Sequence, residues 1–137
     1  MDRLIEIAEK IAWALYGTPY IWGGKTVNGG LDCSGFVQHI LSAVGRMPSS
    51  PAENTDALYA RFKKALTPSA GCLVFYGKPS DVSHVMFYIG DGLCIGACNG
   101  GSDTTSFEIA AVKNACVRVK PIGYRKDLVG FVDPFLD

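Results

Sequence analysis

The feature that most constrains the fold of this chain is a change in its hydrophobic period near residue 71. Before that point, apolar residues recur at helical spacing, as in the stripe Leu4, Ile7, Ala8, Ile11 and Leu15. Beyond Pro68 and Gly71, short runs rich in β-branched and aromatic residues follow one another. Helical segments that precede a set of strands predict an α+β fold, in which an antiparallel sheet packs against N-terminal helices.

Capping residues and turn signals set the limits of the predicted elements. Helices are predicted over residues 3–16, from Cys33 to Gly45, and over residues 56–66. Strands are predicted over residues 72–76, 83–89, 93–98, 116–121 and 127–134. Gly90, Asp91 and Gly92 predict a tight hairpin between the second and third strands. Asp32 has the residue type of an N-cap, which places Cys33 at the N-terminus of the second helix.

Length, charge and cysteine content limit the class of protein. A chain of 137 residues has the size of one domain, so residues 1–137 are predicted to form a single domain. Its 13 Lys and Arg balance its 13 Asp and Glu, so neither nucleic acid nor an anionic membrane surface is a predicted partner. The five cysteines include no CxxC pair and accompany only two histidines, so no metal or cofactor is predicted.

Cys33 has the surroundings of a nucleophile. A thiol attacks a carbonyl as thiolate, and the amides and dipole of a helix N-terminus favour a negative sulfur. An imidazole must take the remaining proton, and only His39 and His84 are available. His39 lies on the same helix, about 120° away from the Cys33 stripe, so it cannot readily face the thiol. His84 opens a predicted strand and is the better base.

Three motifs in order give the chain a family resemblance. GTPYIWGG, GLDCSGFV and, 51 residues after the cysteine, VSHVMFYIGDG resemble the NlpC/p60 superfamily of cell-wall cysteine peptidases. The C-terminal DLVGFVDP also resembles the closing strand of phage-encoded members. The resemblance implies a papain-like NlpC/p60 fold, with Cys33 as nucleophile and His84 as the base that forms a thiolate–imidazolium pair with it.

The resemblance also implies a set of substrate-binding residues. Tyr20 matches the tyrosine beside the nucleophile, where its hydroxyl would contact substrate or the oxyanion, whereas Trp22 is expected to pack in the core. Asp32 is suited to hold a free amine of the substrate, and Ser34 and Ser83 match positions that shape the cleft.

One position departs from the family pattern. Family members usually carry a polar residue twelve positions after the basic histidine, and this chain has Gly96 there. With a two-residue turn at Asp91 and Gly92, strand pairing would place Asn99 opposite His84, and Asn99 is therefore the expected third catalytic residue. A bulged loop would instead put Gly96 and Cys98 on that face. Water or a backbone carbonyl are further acceptors that would orient the imidazole.

The resemblance implies a hydrolase that cuts peptidoglycan stem peptides, at the bond between D-glutamate and the following diamino acid. Two alternatives stay open: a catalytically impaired protein that binds peptidoglycan or serves as a phage tail component, and a related thiol amidase or acyltransferase. The first ten residues are too charged for a secretory signal, and no segment reaches about 18 apolar residues. We therefore expect synthesis in the bacterial cytoplasm and action on the wall after release or from a virion, with phage tail or lysis proteins as candidate partners.

Overall fold

The computed structural model describes residues 2–136, which form four helices and eight strands. The helices are α1 (Asp2–Ala14), α2 (Cys33–Ala43), α3 (Thr55–Arg61) and α4 (Phe107–Lys113). The strands are β1 (Lys25–Thr26), β2 (Gly30–Leu31), β3 (Lys63–Ala65), β4 (Leu73–Lys78), β5 (Asp81–Gly90), β6 (Leu93–Cys98), β7 (Cys116–Pro121) and β8 (Leu128–Asp133). Within residues 2–136, no helix combines the length and apolarity needed to cross a bilayer.

The main sheet has six strands in the order β3-β8-β4-β5-β6-β7, and each neighbouring pair is antiparallel. β1 and β2 form a separate two-stranded ribbon just before α2. The predicted α+β class and the antiparallel sheet are confirmed.

Both faces of the sheet are covered by side chains, because successive residues of a strand point to opposite sides. One face joins the helices in the main core, to which the strands contribute Leu73, Phe75, Val85, Phe87, Ile95 and Ala97. The other face carries a second buried cluster of Cys72, Val74, Tyr76, Met86, Tyr88, Cys94 and Cys98. All five cysteines are free thiols, and three of the four besides Cys33 lie in this second cluster.

Helix α2 begins at the predicted residue because Asp32 caps it. The Asp32 backbone is extended, and its Oδ1 accepts the amide proton of Gly35 over 2.7 Å. That bond satisfies one of the backbone donors that the first turn leaves unpaired. α2 also packs against β5, and the amide of Val85 in the first half of that strand lies near the sulfur of Cys33.

Three parts of the chain differ from the predicted elements, and the first is the unpredicted β1–β2 ribbon. The predicted helix over residues 56–66 ends at Arg61, and Lys63–Ala65 instead forms β3 at the sheet edge, where Lys64 pairs with Val132. Tertiary pairing with β8 thus overrides a local helical pattern. Helix α4 was not predicted, although Ser106 caps it by accepting the Ile109 amide proton over 3.2 Å.

The β5–β6 hairpin has the predicted turn but a different register. Asp91 and Gly92 have φ values of 55° and 76°, as a two-residue hairpin turn requires. A bulge at Ile89 adds one residue to β5, so Phe87 pairs with Ile95 and Tyr88 with Cys94. The same register, continued along the strands, places Cys98 rather than Asn99 opposite His84.

Candidate active site

The structure brings Cys33 together with the four predicted substrate-binding residues. These five residues line one cleft together with residues of the neighbouring loops. The full lining is Tyr20, Trp22, Gly23, Lys25, Asp32, Cys33, Ser34, Asn54, Thr55 and Ser83. The residues come from the loop before α2, the start of α2, the start of α3 and the start of β5. The cleft therefore lies where the N-terminus of α2 meets the sheet.

Cys33 is the first residue of α2 and is almost fully buried, with 8% of its surface exposed. The backbone amides of Val85 and Ser34 lie near its sulfur and act to lower the pKa of the thiol. Val85 directly follows His84, so the nucleophile predicted on the second helix lies beside the start of β5. Backbone donors at this point are suited to stabilise negative charge on the sulfur or on an oxyanion next to it.

His84 is equally buried, and its side chain contacts the segment between β7 and β8. Its Nε2 lies 2.8 Å from the hydroxyl of Tyr124, within hydrogen-bonding distance. Tyr76 pairs with His84 across the sheet, and its ring centroid lies 5.7 Å from the imidazole. Tyr124 was not predicted as a site residue, because it stands 40 positions away from His84 outside every motif.

Burial disfavours the charged forms of both Cys33 and His84. It raises the pKa of the Cys33 thiol to about 11, although the amides of Val85 and Ser34 act in the opposite direction. Burial also lowers the pKa of His84 to about 3, and the positive charge of Arg125 adds to this effect. The sequence pattern predicted a thiolate at the helix N-terminus. Desolvation acts against a thiolate at this position and the amides of the helix N-terminus act for it, so the thiolate–imidazolium pair stays a prediction.

Asp32 already has a cationic partner. Lys25 Nζ lies 3.0 and 3.2 Å from its two carboxylate oxygens and 3.1 Å from the hydroxyl of Ser34. The side chains of Lys25 and Asp32 are 34% and 12% exposed, so this ion pair faces the cleft from one side. Lys25 is a further site residue that sequence reasoning missed, since a lysine in a glycine-rich loop carries no signal of its own.

Tyr20 and Trp22 occupy different environments. Tyr20 is buried, and its ring fills the space beside Gly100, where a side chain would overlap the ring. Burial, with a smaller contribution from the charge of Asp32, raises the pKa of Tyr20, so its hydroxyl stays protonated and can donate. Trp22 is 55% exposed and lines the cleft, so the expectation that it packs in the core is wrong.

Asn99 does not lie where the two-residue-turn pairing would put it. It follows the end of β6 with a left-handed φ of 68°, and its side-chain amide donates to the carbonyl of Asn114 over 3.1 Å. The bulge at Ile89 is the physical reason, because it moves the register of β6 by one residue. Gly96 faces Met86, and a Cβ on Gly96 would lie 2.5 Å from the Met86 sulfur.

Comparison with known proteins places the chain in a family. Residues 17–120 match the NlpC/P60 family. The chain is 34% identical over 116 residues to the probable peptidoglycan endopeptidase LytE of Bacillus subtilis, an alignment that covers 84% of this chain and 32% of LytE. It is 34% identical over 100 residues to the bifunctional muramidase/DL-endopeptidase CwlT of the same organism, covering 70% of this chain and 30% of CwlT. The chain therefore spans about a third of the length of these two relatives.

Solved structures have the same architecture. The NlpC/p60 domain of the peptidoglycan hydrolase SagA superposes with a TM-score of 0.72 at 25% identity, covering 94% of this chain and 97% of that domain. The P60 domain of antigen MAP1204 from M. avium subspecies paratuberculosis superposes with a TM-score of 0.75 at 23% identity, covering 99% and 97%. The papain-like fold implied by the resemblance is thus confirmed. With its fold and three quarters of its residues matching, this chain belongs to the NlpC/P60 family.

Proposed function

We propose that this chain is a cysteine peptidase that hydrolyses an amide bond in the stem peptides of peptidoglycan. The observation that carries the proposal is the position of Cys33, which heads a capped helix in a cleft, with the backbone amide of Val85, the residue after His84, near its sulfur. The names of the relatives LytE, CwlT and SagA support the same substrate class.

The proposed reaction uses Cys33 as nucleophile and His84 as general acid and base. Cys33 gives its proton to His84 as the sulfur attacks the carbonyl carbon, and backbone amides around Cys33 stabilise the oxyanion. The imidazolium then protonates the leaving amine, the C–N bond breaks, and a thioester remains on Cys33. Water, deprotonated by the imidazole, attacks this thioester and releases the carboxylic acid product and the free thiol.

The cleft residues support the finer assignment to the bond between D-glutamate and the following diamino acid. Asp32 offers a carboxylate at the rim of the cleft, and a free substrate amine would replace Lys25 as its partner. The hydroxyls of Tyr20, Ser34 and Ser83 supply further polar contacts around the nucleophile. A stem peptide with a free N-terminal amine fits this arrangement better than one whose N-terminal amine is in an amide bond.

Purified sacculi and defined stem peptides test the proposal. Wild-type protein is expected to release peptide fragments that mass spectrometry assigns to one cleaved bond, and Cys33→Ala is expected to release none. Cys72→Ala is the matched control, because Cys72 is also a buried free thiol but lies outside the cleft. Equal release by the Cys33→Ala variant would contradict the assignment of the nucleophile. Binding of stem peptides without release by the wild type would favour a binding protein instead.

N-terminal acetylation of the substrate tests the bond assignment. A tripeptide of L-alanine, D-glutamate and a diamino acid should be cut after D-glutamate. Acetylation of its amine should raise KM for the wild type but change KM little for Asp32→Asn, which cannot form the ion pair. Cleavage at another bond, or equal sensitivity of both proteins, would contradict the assignment.

Residues 1–137 are further proposed to act as one catalytic domain of phage origin, released at lysis or carried by a tail. The resemblance of residues 127–134 to phage members supports this origin, and the near-complete coverage of the SagA domain supports the domain assignment. Genes for tail or lysis proteins beside the coding sequence would agree with a phage origin, and a conserved bacterial chromosomal neighbourhood would contradict it.

A further inference from the structure

The imidazole of His84 lacks the partner that family members place twelve residues later. Gly96 occupies that position and has no side chain to offer. The space beside it belongs to Met86, whose sulfur lies where a Cβ on Gly96 would go. A polar group that orients His84 must therefore come from elsewhere in the fold.

The segment between β7 and β8 brings such a group to His84. It carries Tyr124, whose hydroxyl lies 2.8 Å from Nε2 of His84. Within residues 2–136, the ring nitrogens of His84 form a hydrogen bond with one side chain, that of Tyr124. It occupies Nε2 and leaves Nδ1 as the other basic atom of the ring.

Tyr124 is held in place by bonds that its neighbours make with the sheet. The amide of Ile122 donates to the carbonyl of Gly92 over 2.8 Å, and the carbonyl of Ile122 accepts the hydroxyl proton of Tyr76 over 2.7 Å. The Tyr124 ring packs edge-on against Tyr76, with centroids 5.5 Å apart. A side chain anchored on both sides in this way has a defined position relative to His84.

The charges around the pair favour a neutral partner. Arg125 forms an ion pair with Asp127 over 2.6 Å, so the nearest carboxylate is occupied by that cation. Burial raises the pKa of Tyr124, so its phenol keeps its proton and its oxygen has lone pairs available as acceptors. A neutral acceptor orients an imidazole without holding it in the charged form, in agreement with the lowered pKa of the buried His84.

We propose that Tyr124 is the positioning residue of this site, whose oxygen accepts the Nε2 proton of His84 and thereby leaves Nδ1 unprotonated to take the proton of Cys33. This inference rests on the proposed function for its catalytic consequence. It replaces Asn99, whose amide is bonded to Asn114, as the third member of the constellation. The contribution of Tyr124 to the rate comes through the orientation and tautomer of His84, because it does not touch the reacting sulfur.

The tautomer of His84 tests the proposal without any substrate. Long-range proton–nitrogen NMR separates the two neutral tautomers, and His39, the other histidine of the chain, is an internal reference. We expect wild-type His84 to carry its proton on Nε2, and Tyr124→Phe to lose this preference. Tyr88→Phe is the matched control. Tyr88 lies on the same strand as His84, but its hydroxyl accepts the amide proton of Gly92 and does not bind His84. A proton on Nδ1 in the wild type, or the same tautomer in Tyr124→Phe, would overturn the proposal.

Kinetics on stem peptides test the catalytic consequence. Loss of an outer partner of a reacting group typically costs about 10- to 100-fold in activity, so kcat of Tyr124→Phe should fall by that factor while KM stays within about twofold. Unchanged kcat in a folded Tyr124→Phe variant would overturn the positioning role. If the wild type releases no peptide although its tautomer depends on Tyr124, the proposed function fails and the contact assignment stands. Cys33→Ala should abolish release and leave the tautomer unchanged.

Discussion

Replacing Gly96 with alanine is expected to destabilise the fold, because the space that a side chain would need is filled by Met86. A Cβ at this position would lie 2.5 Å from the Met86 sulfur and 3.5 Å from its Cα. Ordinary contacts between such atoms are about 3.5–4.0 Å, so the overlap with the sulfur is about 1 Å. Met86 is fully buried and can yield only by repacking among its neighbours in the second cluster.

The sign of the change distinguishes this overlap from a backbone effect. Gly96 does not have a positive φ, so alanine is compatible with its backbone. At an unobstructed site of this kind, Gly→Ala stabilises a protein by about 0.4–1 kcal/mol, because it restricts the unfolded chain. Overpacking of a buried site costs about 1–3 kcal/mol instead. We therefore expect a net loss of about 1–2 kcal/mol, or roughly 4–8 °C in Tm for a chain of this length.

Urea denaturation of a double-mutant cycle measures the contact directly. Met86→Ala alone should cost about 2–5 kcal/mol, because it leaves a cavity in the second cluster. With the sulfur removed, the added methyl group of Gly96→Ala has room, so the double variant should be more stable than the sum of the two single losses predicts. A Gly96→Ala variant as stable as the wild type, or strictly additive losses, would refute the reasoning that Met86 excludes a side chain from position 96.

Three further predictions concern the cleft and its charges. Since the folded pKa of His84 lies below its unfolded value of 6.5, stability should rise with pH between about 3 and 6.5, by up to roughly 1.4 kcal/mol per pH unit. The slope of urea midpoint against pH should be smaller in His84→Gln, and equal slopes would contradict this. Asp32→Asn keeps a capping oxygen but removes a charge that raises the pKa of Cys33, so iodoacetamide should alkylate Cys33 faster in this variant. Lys25→Gln removes a charge that lowers the same pKa, so it should slow alkylation. The reverse order of the two rates would contradict these charge effects. Trp22→Ala should raise KM for stem peptides and change the unfolding free energy by less than about 0.5 kcal/mol. Trp13 on α1 is similarly exposed, and Trp13→Ala should change neither quantity. An unchanged KM in Trp22→Ala would exclude Trp22 from substrate binding.

Local patterns predicted most of the fold that positions Cys33. The start of α2 depends on a hydrogen bond between Asp32 and Gly35, three residues apart, so residue type and spacing were sufficient to place it. The two-residue turn at Asp91 and Gly92 was also predicted, because it needs only residues that adopt positive φ. The bulge at Ile89 has no such local signal. The predicted pairing of Asn99 with His84 was wrong for that reason.

The partners of the candidate catalytic groups depend on contacts between distant residues. Lys25 reaches Asp32 through the β1–β2 ribbon, and Tyr124 reaches His84 through a segment that follows β7. Neither residue belongs to a periodic pattern that would predict where its side chain ends. The protonation of Cys33 and His84 likewise depends on burial, which results from packing of the whole chain.

The sequence alone thus determined the α+β class, the capped helix headed by Cys33 and the strand that begins near His84, because each depends on residues within a few positions of one another. Tertiary structure alone decided that Met86 fills the space beside Gly96, that Tyr124 contacts His84, and that burial shifts the pKa values of both candidate catalytic groups towards their neutral forms. These outcomes follow from desolvation and from contacts across tens of residues, and periodicity, spacing and residue type carry no information about either.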